Sequence, residues 1–197
     1  MDTFKTIAGR SEGTYSQLRS KFLAFAAPVQ TVDEAMAFVA EVQKEYYDAR
    51  HVCYAYMLGA ARDTFRANDN GEPSGTAGKP ILGQINSGEL TDIVIAVVRY
   101  FGGIKLGTSG LIQAYRAAAA EAIAAATIIE KTVDETIRIS FDYLLMNDVM
   151  RIVKEESPSV LAQTFDNLCT MTLAQRASLM PRLRARLENL REVTIEG

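Results

Sequence analysis

The chain is poor in the residues that most often announce a catalytic or metal site. It has one histidine, His51, and two cysteines, Cys53 and Cys169, in 197 residues. The cysteines stand far apart and outside any C-x-x-C or Cys/His spacing, which argues against a transition-metal site. They suit a reduced cytosolic interior better than a disulfide. No Ser-His-Asp or Cys-His set follows from spacing, so nucleophilic catalysis has no positive support. No apolar run reaches the 18 or so residues that a membrane span needs. The start, MDTFKTIAGRSEG, lacks the basic n-region and apolar core of a signal peptide. The expectation is a cytoplasmic protein without metal or cofactor. An excess of one charge is lacking too: 21 Lys and Arg face 24 Asp and Glu, a formal net charge of −3. Any contact with nucleic acid must therefore come from a local patch.

What is present is an ordinary globular composition, 48% hydrophobic and 23% charged, in a length with room for one large or two small domains. Thr31-Val-Asp-Glu34 has the spacing of a capping box. Ala35, Phe38, Val39, Val42 and Tyr46 then share one stripe of a helix expected over about 32 to 47. Phe22 to Val29 before it and Val52 to Gly59 after it read as strands. Residues 62 to 91 hold most of the Gly, Pro, Asn, Asp and Ser, and a long loop is expected there. Ile93 to Val98 is the clearest strand. A helix is expected from Ser109 to about Ala126, capped by Gly107-Thr108-Ser109.

The hydrophobic pattern restarts near residues 132 to 134, giving expected domains of 1–134 and 135–197. In the second, Thr136 to Phe141 alternates as a half-buried strand. Leu145, Val149, Ile152 and Val153 make a helical stripe; Val160 to Phe165 and Leu168 to Leu173 flank Asp166-Asn167 as a hairpin. Leu179, Leu183, Leu187 and Leu190 mark a last helix before a strand at 193 to 195. The order β-α-β-β-α-β is that of a ferredoxin-like unit. Pro181 fits either the first turn of the last helix or a kink within it.

Two segments could do chemistry. In Asp69-Asn-Gly-Glu72-Pro-Ser74-Gly75-Thr76-Ala-Gly78-Lys79-Pro80, glycine amides, the hydroxyls of Ser74 and Thr76, and Lys79 suit an oxygen-rich ligand. Asp69 and Glu72 could hold a metal or accept a proton. A phosphate-loop reading fails, because Pro73 stands where that motif needs Gly and Pro80 where it needs Ser or Thr. The same residues equally make a rigid surface turn. In the second segment, Ile93 to Val98 ends in Arg99-Tyr100-Phe101, then Gly102, Gly103, Lys105 and the helix start at Ser109. That succession offers amides and a positive helix end to an anion; it also fits core aromatics, a tight turn and an Arg99 paired with a carboxylate. His51 stands just before a strand, where a structural role is commoner than a base. Arg182, Arg184 and Arg186 in the last helix could touch phosphates, although from residue 135 onward eight Lys and Arg face nine Asp and Glu, which favours a solvated face.

Several blocks stand together in order: Ser20-Lys21-Phe22-Leu23-Ala24, Asp48-Ala49-Arg50-His51-Val52-Cys53, the loop from Asp69 to Pro80, Arg99 to Gly107, and Gly110-Leu-Ile-Gln-Ala-Tyr115. In these the chain resembles the YigZ/IMPACT family over nearly its whole length. The resemblance implies an α+β protein. Its N-terminal domain would be like the second domain of a small-subunit ribosomal protein, also the fold of elongation factor G's domain IV; its C-terminal ferredoxin-like domain would be like that factor's domain V. It also implies contact with RNA, the ribosome or a translation factor. Eukaryotic relatives regulate translation under amino-acid starvation and carry an extra N-terminal interaction domain; this chain resembles the bacterial two-domain form without it. The leading expectation is a non-enzymatic, translation-related binding protein with a pocket for an anion such as phosphate between the 69–80 loop and the 99–110 turn. The alternative is an enzyme for an anionic, phosphorylated small molecule. There Glu72 or Asp69 would serve as acid or base, assisted by His51, with Lys79, Arg99 and Lys105 steering the anion.

Overall fold

The structure, a computed structural model, describes residues 2 to 197. It is α+β, and the chain divides into two compact units: residues 4–131, and residues 132–197 with Asp2 and Thr3. Among the described residues no helix is long and apolar enough to cross a membrane.

The larger unit begins with β1 (Thr3–Ile7), β2 (Ser11–Gln17) and β3 (Ser20–Pro28), followed by α1 (Val32–Glu45). Thr31 caps α1 by accepting from the Glu34 amide at 3.1 Å, as the box spacing predicts. Then come β4 (His51–Leu58), β5 (Thr64–Asn68), α2 (Gly78–Ser87), β6 (Ile93–Tyr100), α3 (Gly107–Ala124) and β7 (Ile128–Thr132). Five strands form one antiparallel sheet in the order β2-β3-β6-β4-β5, and β1 pairs with β7. The apolar run Ile93–Val98 is buried on both faces because β6 is the central strand. Its odd residues Ile93, Ile95 and Val97 join Phe22, Cys53, Ile81 and Tyr115 in a core with α2 and α3. Its even residues Val94, Ala96 and Val98 pack with α1 through Phe38, Val39 and Val42.

Two expectations need correction here. Residues 62 to 91 are not one long loop: β5 extends the sheet beside β4, and α2 buries Ile81 and Ile85. The turn-forming composition hid a helical pair spaced by four, and Pro80 sits in the first turn of α2, where a missing N–H is tolerated. Second, α3 begins at Gly107 behind Leu106, with no capping bond from that side chain, so Ser109 lies inside the helix. β1, β2 and β7 carry little strand signal in the sequence. β2 has only one large apolar residue, Tyr15, and β7 buries no residue fully.

The smaller unit holds β8 (Asp134–Asp142), a 3-10 turn, α4 (Met146–Glu156), β9 (Ser159–Phe165), β10 (Leu168–Arg176), α5 (Met180–Glu188) and β11 (Thr194–Glu196). Along the chain these elements follow the expected β-α-β-β-α-β order, and the antiparallel sheet they form runs β11-β8-β10-β9. Ile137, Ile139, Phe141, Met171 and Leu173 meet Val149, Ile152, Leu183 and Leu187 in its core. Pro181 stands in the first turn of α5, not at a kink.

Candidate functional site

Strand alternation places the site. Arg99 continues the Ile93, Ile95, Val97 series, so it ends β6 on the face covered by α2 and α3. Across the ladder it sits opposite Phe22 of β3 and His51 of β4. The loop after β5 folds back over this end of the sheet because Asp69 gathers its amides. One carboxylate oxygen accepts from Gly75 at 2.8 Å; the other accepts from Ala77 at 3.1 Å and Gly78 at 2.8 Å, capping α2 from outside the helix.

So folded, the loop inserts Glu72. Arg99 Nη1 donates to Glu72 Oε1 at 2.6 Å and Oε2 at 2.9 Å, and the Tyr115 hydroxyl of α3 donates to Oε1 at 2.7 Å. The two ionic side chains are 9% and 3% exposed. Cys53 lies beneath, its thiol 3.4 Å from the Tyr115 hydroxyl and 2.9 Å from the Asp69 carbonyl. Burial pushes this thiol up to about 12, and burial with the neighbouring Cys53 and Glu72 raises the Tyr115 phenol as well. At neutral pH neither is a nucleophile.

Burial raises the Asp69 carboxyl, but its three amides, helped by Lys79, outweigh that and hold it below the usual carboxylate range. A depressed carboxyl stabilises the fold above the pKa of the unfolded chain and ceases to do so as pH falls through its own. Hydrogen-exchange protection at Gly75, Ala77 and Gly78 is therefore expected to be intact at neutral pH and to fade below about pH 4. Protection unchanged down to pH 2 would show that Asp69 does not hold the loop.

Above the ion pair lies a cleft of about 410 Å³. Its cationic lining is Arg50, Arg99 and Lys105. Pro73, Phe101, Leu106 and Leu111 supply apolar surface, and Gly107 and Thr108 bring in the start of α3, which no cap side chain satisfies. Glu72 also lines it, already neutralised by Arg99. The Arg99 guanidinium lies 5.7 Å from the ring centroids of both Phe22 and Phe101, and its buried Nε has no hydrogen-bond partner. His51 lines the same cleft, with Nδ1 2.8 Å from the Asn70 carbonyl. A carbonyl only accepts, so Nδ1 donates in this bond, and in the neutral form of the ring Nε2 is then the acceptor.

Of the residues singled out in the sequence, the fold thus brings His51, Glu72, Arg99 and Lys105 together. Ser74, Gly75, Thr76 and Lys79 do not line the cleft. The Gly75 amide belongs to Asp69, the Thr76 hydroxyl donates to the Pro73 carbonyl at 2.6 Å, and Lys79 is exposed on the first turn of α2. Gly102, Gly103 and Ser109 are near in sequence but outside the lining. Gly102 instead meets the β2–β3 turn: a Cβ there would lie 2.1 Å from the Arg19 carbonyl carbon. Sequence reasoning missed Arg50, Phe101 and Tyr115 as site residues. A phenol in the apolar stripe Leu111, Ala114, Ala118, with Glu72 the acid in a neighbouring loop, was the available signal for Tyr115.

In the smaller unit Arg182 Nε donates to Glu156 at 2.7 Å, Arg186 Nη1 donates to the other oxygen of Glu156 at 2.7 Å and Arg186 also pairs with Glu155. Arg184 donates to the Gly197 carbonyl at 2.5 Å. These arginines join α5 to the end of α4 and to the C-terminal residue. Among the described residues no three His, Cys, Asp or Glu are grouped to hold a metal ion.

Residues 18–123 match the family model described as the Impact N-terminal domain. IMPACT family member YigZ of Escherichia coli is 32% identical over 171 residues, 86% of this chain and 84% of that protein. IMPACT family member YvyE of Bacillus subtilis is 36% identical over 137 residues, 70% of this chain; the match spans 63% of that relative, less than two thirds of its length. Among solved structures, a hypothetical protein aligns over 99% of this chain and 97% of its own at 28% identity, with a TM-score of 0.76. The matched segment contains the whole cleft and its buried ion pair, from Arg50 to Tyr115, and the chain belongs to the IMPACT family.

Proposed function

We propose that the protein is a non-enzymatic, translation-related binding protein whose larger unit takes a phosphate group of an RNA partner in the cleft beside Arg99. The observation that carries this is the charge of the cleft. Arg50 and Lys105 stand with an uncapped helix start, and the one carboxylate in the lining, Glu72, is already paired. Such a site favours a group that accepts hydrogen bonds and carries negative charge. The translation link rests on the family resemblance and its likeness to domains IV and V of elongation factor G, which the strand order of the smaller unit supports.

The test is a short single-stranded RNA titrated at several salt concentrations. The Arg50→Ala, Lys105→Ala double variant is expected to weaken binding at least tenfold at low salt and to lower the salt slope by roughly one to two phosphate contacts. Arg184→Ala with Arg186→Ala is expected to change it little, because both side chains are already engaged. No RNA binding at low salt, or an undiminished double variant, overturns the proposal.

A second reading has one observation in its favour, the fixed tautomer of His51, which leaves Nε2 free to act as a base on a phosphorylated small molecule. Glu72 and Asp69 are less suited to that work, their oxygens being held by Arg99, Tyr115 and three amides. Turnover of a phosphoester that vanishes in His51→Gln, with RNA binding absent, selects this reading.

A further inference from the structure

Phosphate recognition leaves half of the cleft unexplained. Besides its cations the cleft is lined by Pro73, Leu106 and Leu111, and by Phe101, an aromatic residue 56% exposed. Solvation alone gives no reason to hold a phenyl ring there. The ring is also restrained: the guanidinium of Arg99 lies 5.7 Å from its centroid, and Arg99 is in turn fixed by Glu72. A ring with a buried cation on one side and more than half its surface open is a preformed platform for a flat π-system.

We infer that the cleft takes one nucleotide, its base stacked on Phe101 and its phosphate toward Arg50, Lys105 and the start of α3. The inference rests on the phosphate reading above and adds to it the chemical class of what the phosphate is attached to. About 410 Å³ lies at the small end of ligand-binding cavities. That is room for a single mononucleotide unit. Stacking accepts any base, since each has a π-face, so the site reads a nucleotide as such and not a sequence. Arg99 has a second part in it. Its charge is balanced by Glu72, so it stiffens the platform without drawing the phosphate into the base side of the cleft. A free nucleotide and a nucleotide of an RNA strand share this chemistry.

The experiment compares AMP, ribose 5-phosphate and inorganic phosphate on the full chain by calorimetry. AMP is expected to bind roughly tenfold or more tightly than ribose 5-phosphate. Phe101→Leu, which keeps apolar volume at an exposed position, should remove the preference for AMP, so that AMP and ribose 5-phosphate bind with the same affinity. The chain has no tryptophan, so Phe101→Trp introduces a single tryptophan whose emission, excited at long wavelength apart from the tyrosines, AMP should quench and ribose 5-phosphate should not. Equal affinities for the two ligands, or an AMP preference that survives Phe101→Leu, would overturn base stacking and leave phosphate binding standing. Failure of all three ligands and of RNA to bind at low salt would remove both. Between the two sources, tighter and more salt-dependent binding of a 5′-phosphorylated pentaadenylate than of AMP assigns the site to an RNA strand; equal binding assigns it to a free nucleotide.

Discussion

Glu72→Ala is expected to cost the larger unit about 3 to 5 kcal/mol, the range for removing one partner of a buried ion pair. The cost comes from what remains. Arg99 would keep its charge at the end of β6 with 9% of its side chain exposed and no carboxylate in reach, and Tyr115 would lose its acceptor. The midpoint of the urea transition belonging to this unit should fall with an unchanged slope. Replacing both ions by apolar residues, Glu72→Leu with Arg99→Met, should recover most of the loss, because it removes the unpaired charge along with its partner. That recovery separates a desolvation effect from a general disturbance of the loop. If Glu72→Ala is as stable as the parent within about 1 kcal/mol, the pair does not hold the 69–78 loop on the sheet.

The second large effect is expected at Gly102. A side chain there would run into the backbone of the β2–β3 turn, with 2.1 Å to the carbonyl carbon and 2.3 Å to the carbonyl oxygen of Arg19. Backbone cannot rotate away as a side-chain end can. Gly102→Val should therefore destabilise by about 3 kcal/mol or more, at the upper end of overpacking costs, and Gly102→Ala should be nearly as damaging, since the first carbon already collides. Gly103 has a different constraint, a φ of +87° with open space around it, so Gly103→Ala should cost only about 1 kcal/mol. Tyr100→Phe removes a hydroxyl that donates to Asp48 at the surface and should cost less than about 1 kcal/mol. Equal melting temperatures for Gly102→Ala and the parent would mean that the turn and strand end are not in contact.

The contrast between these glycines shows where sequence reasoning stops. A pair of glycines after a strand signals a turn, but the turn explains only Gly103. Gly102 is needed because Arg19, 83 positions earlier, comes against it, and local pattern carries no information about that approach. The same division runs through the molecule. The elements with strong periodicity, α1, β4, β6, α3 and, in the smaller unit, β8, α4, β10 and α5, were legible because each buries a face or stripe against a core; β9, exposed throughout, was legible only as the partner strand of the Asp166-Asn167 hairpin. β2 was not, because its pairing with β3 makes it a strand more than its own composition does. In the site, Arg99 and His51 were visible as unusual residues at strand ends. Their union was not, since it depends on the register that sets His51 opposite Arg99. The role of Asp69 was hidden for a related reason: an acid in a glycine-rich loop suggests chemistry, and only the folded loop shows it gathering three amides.

The strand order also governs how the unit comes to exist. The hairpins β2–β3 and β4–β5 are complete in the chain by Asn68, yet each has one edge reserved for β6, which is not finished until Tyr100. Emerging from a ribosome, the two hairpins therefore wait with unpaired backbone along Phe22–Ala27 and Val52–Met57, among the most apolar stretches of the sequence. The sheet closes in one late step when the central strand enters between them, and pairings of this sequence separation fold slowly. The cleft is the last product of that step, because Arg99 arrives with the end of β6 and Tyr115 with the helix that follows.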